Sequence, residues 1–423
     1  MHEGLSQAGY GRRWAVTFGV SLALEVVSIG TWDLGRWPSG PGLPTCHDHL
    51  DVLHGGRQEM AILLPDGLAT PALVVDPDVL ESNIERMAEA SRVRGFALRP
   101  HAKAHKCAQI GDLQLQAGAR GLSVATIGEA EAFARVGVDD LFIAYPVWLD
   151  VDKARRLRRL ADDAALRVGV ESVEGAQRLG NAVRGSARPV EVLVEVDSGS
   201  RRTGVQPHMA GEVGKAAADA GLDVVGVFTF PGHGYGHDAQ ARERAARDEE
   251  RTLGQAAQAL RDLGLDVRTV SGGSTPTVGQ WRPGAVNELR PGVYVFNDAT
   301  QLAIGTCGVE DLALVAAATV ISVPAPDRFV LDVGSKALGS DRSSWVTGHG
   351  YLPRFPQGSI TGLWEHHAVV RLPEGVRGPR LGSVVAVVPN HICTPVNLAD
   401  ELLVVRDRKV IDRWQVTARG ANT

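Results

Sequence analysis

From about residue 70 onward, short apolar, β-branched segments alternate with longer amphipathic ones, and this alternation restricts the chain to folds built on a parallel sheet. The strand-like segments are "FALRPHAK", "GLSVAT", "DLFIAYP", "LRVGVES", "VEVLVEVD", "DVVGVFTF", "VRTVSGG" and "LRPGVYVF". Helical patterns such as "IGEAEAFARVG" and "VDKARRLRRLADDA" lie between the first seven, and the gap before the eighth is looser. Eight such strands over about 200 residues predict a closed (β/α)8 barrel, with an open doubly wound sheet as the alternative. Ahead of them, "TPALVVD" reads as a further short strand and "PDVLESNIERMAEASRVRG" as an amphipathic helix ending at Gly95. After residue 305 the helical spacing stops. "LALVAAATVISVPAP", "DRFVLDVGS", "WEHHAVVRLP", "GSVVAVVPN" and "ELLVVRDRKVIDRWQV" read as strands broken by Gly and Pro. The expected class is α/β: a TIM barrel over residues 66–304, followed by an antiparallel β domain over 305–423.

Residues 1–59 do not share this pattern. "RRWAVTFGVSLALEVVSIG" has the basic-then-apolar order of a signal peptide, but Glu25 interrupts it and the run is short for a bilayer span. A disordered extension, an export signal and an over-extended start with translation beginning at Met60 are the three readings, the last being preferred. The net charge of -5, without a block of Lys and Arg, gives no sign of a nucleic-acid-binding surface, and no nucleic-acid partner is expected. Four cysteines in 423 residues argue against a disulfide framework and point to a reducing cytoplasm, with no membrane partner.

Barrel chemistry sits where strands end. The first strand ends at His101-Ala102-Lys103, the third at Tyr145, the fourth at Glu171 and the fifth at Asp197. The sixth runs into His233 and Tyr235, the seventh into Gly272-Gly273-Ser274-Thr275, and the eighth carries Tyr294. In "RPHAKAHK", His101 and His105 have the spacing of a metal pair on a helix, but Pro100 favours extended chain. On a strand, His101, Lys103 and His105 share one face and present a lysine amine to the barrel mouth, where it is either solvated or a nucleophile able to form a Schiff base. "SGGSTPT" supplies backbone N–H groups and hydroxyls for an anion. A Schiff-base lysine together with a phosphate loop describes one cofactor, pyridoxal 5'-phosphate. In "VVPNHICTPVN", His391 and Cys393 share a face if extended, and imidazole with thiolate suits zinc. Two ligands are too few for a closed structural site, and a buried His beside an inert Cys is the plain alternative.

These motifs, with "VATIGEAEAFARVGVDDLFIAYPV", "EVDSGSRRTGV", "ELRPGVYVFND" and "GSKALGSD", resemble the D-threonine aldolase and D-serine dehydratase family, fold-type III pyridoxal-phosphate enzymes with an alanine racemase-like barrel. The resemblance spans about Leu73 to Asn397 and excludes residues 1–59. It implies that Lys103 is the Schiff-base residue and a catalytic base, and that Gly272 to Thr275, with Thr277, bind the phosphate. It places Arg202, rather than Arg201, in the cofactor pocket, which the strand ends His101, Tyr145, Tyr235 and Tyr294 would complete. It implies a divalent metal on His391 and Cys393, zinc first, with manganese or magnesium as alternatives. Cys393 in place of aspartate leans toward a D-serine dehydratase-like deaminase yielding a 2-oxo acid and ammonia. The alternatives are D-threonine aldolase-type cleavage, with His233 deprotonating the 3-hydroxyl, and an amino-acid racemase. A homodimer acting on a small D-amino acid is expected. Two departures leave substrate choice open: Trp364-Glu365-His366-His367-Ala368 replaces a Ser-Glu-Glu-His-Gly pattern, and "FPGHGYGHD" matches neither branch.

Overall fold

The computed structural model describes residues 64–423 apart from His237 and Ser344. The readings of residues 1–59, the start at Met60 and Cys46 lie outside the described residues, as does His237, to which the sequence assigns no role.

Eight parallel strands form the first sheet: β2 (Ala97–Leu98), β3 (Leu122–Val124), β4 (Asp140–Pro146), β5 (Ala165–Val170), β6 (Glu191–Glu195), β7 (Asp223–Phe228), β8 (Thr269–Gly272) and β9 (Glu288–Leu289). They pair in the order β2-β9-β8-β7-β6-β5-β4-β3. The two edge strands meet through a parallel bridge between His101 and Ser123, supported by Ser123 N–H donating to Pro100 O at 2.8 Å. The first and last strands are shorter than the apolar runs suggest. Pro100 and Pro291 follow them closely, and a residue without an N–H cannot extend a ladder. The chain turns instead into 3-10 segments at Ala102–Ala104 and Val293–Val295.

The helices start where the strands hand over, because the βα loops carry capping side chains. Thr126, Asp150 and Ser172 each accept a backbone N–H three residues on, satisfying a donor the helix itself cannot. These caps fix the loops at the C-terminal ends of the strands.

The second sheet is mostly antiparallel. It contains β1 (Ala72–Val75), β10 (Leu314–Ala325), β11 (Arg328–Leu331), β12 (Ser359–Leu363), β13 (Ala368–Arg371), β14 (Val384–Val387), β15 (Glu401–Arg406) and β16 (Lys409–Gln415). The order is β12-β13-β11-β10-β1-β15-β16, with β14 on β10. "TPALVVD" is a strand, as its pattern predicts, but it lies in this sheet rather than the barrel, antiparallel to β10 and parallel to β15. One strand that the sequence reading passed over, "SITGL", is β12, short and interrupted by a glycine.

The barrel interior is polar below the mouth. Arg99, fully buried, reaches Glu288 at 3.0 Å and Asp140 at 2.6 Å. Phe142, Leu193, Val225 and Phe228 form a small apolar cluster, with the two rings edge-on at 5.1 Å. Among the described residues no helix is long and apolar enough to cross a membrane.

Candidate active site

A cavity of about 390 Å³ opens at the barrel mouth. Its lining includes His101, Lys103, Arg202, Tyr235, Gly273, Ser274, Thr275 and Arg290, and also Arg342, Trp345, His391 and Cys393, which follow β9 in the chain. The lysine, the glycine-rich loop and the His-x-Cys pair, distant in sequence, therefore face one space.

Lys103 stands on the 3-10 turn and has no hydrogen bond or ion pair among the described residues. Its Nζ lies 5.6 Å from the centre of the Phe230 ring, and the Arg202 guanidinium lies 4.8 Å from the same ring. Burial, reinforced by Lys103 and Arg290, holds the His101 imidazole well below its ordinary pKa, so it is neutral. His105 does not share a face with Lys103 as an extended chain would require. The turn breaks the alternation, and His105 instead takes the Cys107 N–H on Nδ1 at 3.2 Å and meets Phe133 edge-on.

The loop after β8 is organised differently from a simple backbone cradle. Gly273 N–H donates to Glu249 Oε1 at 2.6 Å, and Ser274 N–H donates to Thr277 Oγ1 at 3.0 Å. Both donors thus turn inward, and Ser274 Oγ lies 3.0 Å from Thr277 Oγ1, so the loop's donor for an anion is the Thr275 hydroxyl, which accepts the Tyr294 N–H and keeps its own proton. Gly273 has φ +80, and a Cβ there would fall 2.9 Å from Leu289 Cδ2, so glycine is required. Gly272 lies behind the cavity against Glu249.

Three other expected residues do not line the cavity. Tyr145 is half exposed, outside it. The Tyr294 ring is buried in the second core and its hydroxyl accepts from Gln114 Nε2 at 3.0 Å; only its backbone N–H reaches the loop, on Thr275 Oγ1. His233 packs against Gly199 with neither ring nitrogen hydrogen-bonded. Tyr235 does line it, and burial raises its phenol pKa, keeping the hydroxyl protonated.

Arg290 is the main residue the sequence reading missed. Its Nη1 donates to Ser271 Oγ and its Nη2 to Thr229 O, each at 2.5 Å, and Ser271 in turn donates to Glu288 Oε1 at 2.6 Å. Its buried Nε has no partner. With β9 ending at Leu289, Arg290 is the first residue of the loop, whereas the longer strand read from "LRPGVYVF" ran through Tyr294 and left Arg290 inside it.

His391 and Cys393 reach the cavity, though not from extended chain. Ile392 is helical and Cys393 opens the helix Cys393–Leu398. His391 Nδ1 lies 3.1 Å from Oδ2 of the fully buried Asp298, a carboxylate that fixes the ring and leaves Nε2 for a metal. Burial alone would lower the His391 pKa, but the Cys393 sulfur and the Asp298 carboxylate outweigh it and raise it. Among the described residues no group of three or more His, Cys, Asp or Glu is placed to hold a metal. Two protein donors leave coordination positions open, which suits a catalytic rather than a structural ion. Trp364 to His367 form an exposed turn outside the cavity lining.

Residues 75–300 match the alanine racemase N-terminal domain, and residues 313–405 the serine dehydratase domain. The chain is 35% identical over 360 residues to a D-threonine aldolase of an Arthrobacter species, covering 83% of this chain and 93% of that one. It is 34% identical over 349 residues to a D-threo-3-hydroxyaspartate dehydratase of Delftia, covering 77% and 91%. The crystal structure of a D-threonine aldolase from Filomicrobium marinum superposes with a TM-score of 0.76 at 30% identity, covering 85% of this chain and 99% of that one. The solved Delftia dehydratase gives 0.76 at 30% identity, covering 82% and 97%. Further structures of that dehydratase carry alanine in place of a histidine and of a cysteine two positions later, the cysteine variant in a metal-free form.

Proposed function

The chain belongs to the D-threonine aldolase and D-serine dehydratase family, and from that premise we propose that it is a pyridoxal-phosphate- and metal-dependent lyase converting a D-3-hydroxy amino acid to a 2-oxo acid and ammonia. The observation that carries this reading is the convergence of Lys103, the Gly273–Thr275 loop and the His391/Cys393 pair on one cavity. The residues fit the cofactor. An amine without an ion pair, a buried guanidinium nitrogen without a partner and a glycine with no room for a Cβ make a cradle for a phosphorylated heteroaromatic aldehyde. They also fit zinc, since imidazole and thiolate form a borderline-soft donor set. Cys107, Cys307 and Cys393 are all free, as a reducing cytoplasm would keep them.

When bound, the cofactor supplies an electron sink for charge at Cα and the metal a Lewis acid at the 3-hydroxyl. Lys103 would hold the cofactor through its amine and would carry the substrate Cα proton. Arg290, held by Ser271 and through it by Glu288, and Arg202, placed over Phe230, would help to hold the cofactor by supplying positive charge. His391 and Cys393 would hold the metal, with Asp298 fixing the imidazole. Cα–Cβ cleavage requires a base at the 3-hydroxyl. His233, the candidate, lies outside the cavity lining, and the support for dehydration is Cys393 as the second donor of the metal pair.

The cavity also speaks to substrate class. Arg342 is exposed at it with no ion pair among the described residues, and the buried Trp345 Nε1 has no partner. These donors suit a second carboxylate, as in 3-hydroxy-D-aspartate. A homodimer is the proposed assembly.

The test is to incubate the protein, loaded with pyridoxal phosphate and zinc, with D-threonine, D-serine and 3-hydroxy-D-aspartate, assaying 2-oxo acid and glycine separately. Oxo acid that disappears with EDTA is the expected result. Glycine with an aldehyde would instead assign aldol cleavage, and neither product from any substrate would refute the reading.

A further inference from the structure

Lys106, the second lysine of "HAKAHK", is only 4% exposed, three residues from Lys103. Its backbone has φ +50, a left-handed conformation that an L side chain adopts only at an energetic cost. Its N–H donates to Ala102 O at 2.7 Å, closing the turn that carries Lys103. Its ammonium has three fixed partners: Glu129 Oε1 at 3.1 Å, Asn397 Oδ1 at 2.7 Å and Asn422 Oδ1 at 2.9 Å. Glu129 is itself buried and takes the Ala125 N–H at 2.6 Å, so the anion is held by the loop after β3. Asn397 lies four residues beyond Cys393 on the helix Cys393–Leu398, one turn further along.

A buried ammonium at positive φ is costly if all it does is close a turn. What it achieves is a connection. Among the described residues, Lys106–Asn397 is the one hydrogen bond joining segment 101–107 to segment 389–398. One end closes the turn around the amine that would hold the cofactor, and the other sits on the helix that Cys393 opens.

We propose that Lys106 and Asn397 are positioning residues that tie the Lys103 turn to the His391/Cys393 pair, so that cofactor and metal occupancy are energetically coupled. The inference rests on the function proposed above. Coupling through a shared mechanical element is reciprocal: if metal fixes the Cys393 helix, it fixes Lys103 through Lys106, and the cofactor does the reverse.

The test is a titration of the metal-depleted full chain with pyridoxal phosphate, followed by visible absorbance, with and without zinc. Zinc should tighten cofactor binding by at least about fivefold in the wild type, the lower end of typical coupling. Asn397→Ala leaves Lys106 paired with Glu129 and Asn422 and should fold. It should bind cofactor nearly normally without zinc and lose the zinc effect. Asn397→Asp, which keeps an acceptor at the same atom, should restore it. A merely structural role would lower the unfolding midpoint of Asn397→Ala while leaving the zinc effect intact, and that result overturns the inference. Wild-type protein that takes up cofactor indifferently to zinc overturns it equally, without touching the proposed function. Wild-type protein that takes up no cofactor overturns both.

Discussion

Glu249 carries a pH dependence that can be worked out from its surroundings. It lies fully buried on the helix Ala239–Arg261, with Oε1 accepting the Gly273 N–H at 2.6 Å and Oε2 without a partner. Burial dominates its titration, with the Gly273 N–H and Arg290 opposing and Glu250 adding to the effect, and its pKa is pushed from 4.5 up to about 8. A carboxyl group whose folded pKa is raised contributes stability that is fully present below its unfolded pKa and lost as pH rises through the folded value. At about 1.4 kcal/mol per pH unit, the loss between about pH 5.5 and pH 8 comes to about 3 kcal/mol. Glu249→Gln keeps an oxygen for the Gly273 N–H and does not titrate. Urea unfolding at closely spaced pH values should show the wild type losing about 3 kcal/mol over that window, and the variant losing only what the remaining groups contribute. Equal slopes in the two proteins would mean that Glu249 is ionised in the fold at neutral pH and that the reasoning from burial is wrong.

Three further outcomes are expected. Lys103→Ala should abolish the visible absorbance of the bound cofactor and lower turnover roughly 10²–10⁴-fold, read by spectrum and rate together. Gly273→Ala forces a Cβ to 2.9 Å from Leu289 at a left-handed backbone position; strain of about 1–2 kcal/mol should appear as a lower unfolding midpoint, with weaker cofactor binding on titration. Arg342→Ala should cut kcat/KM for 3-hydroxy-D-aspartate by roughly tenfold or more, the scale of one hydrogen bond to a charged group, while D-threonine changes little. Equal losses on both substrates would remove Arg342 from specificity.

The βα alternation, the glycine-rich loop and the pairing of His391 with Cys393 are local patterns, carried by spacing within a few residues, and spacing is what a sequence displays. Hydrophobic period and turn residues likewise located the eight barrel strands and most of the second sheet. The sequence did not show that β1, though adjacent in the chain to the barrel, pairs with β10 and β15. Sheet membership is settled by which edge is free after folding, not by the apolar content of the strand. Nor could it show that Pro100 and Pro291 end their strands early, turning His105 and the Tyr294 ring away from the mouth and bringing Arg290 to it. The lengths of β2 and β9 depend on which ladder partners lie alongside, and those partners are nearly two hundred residues apart. Local sequence thus determined the kinds of chemical group present. Long-range pairing decided which of them face the same cavity, because only the folded sheet sets the end of each strand and the direction of the side chain that follows it.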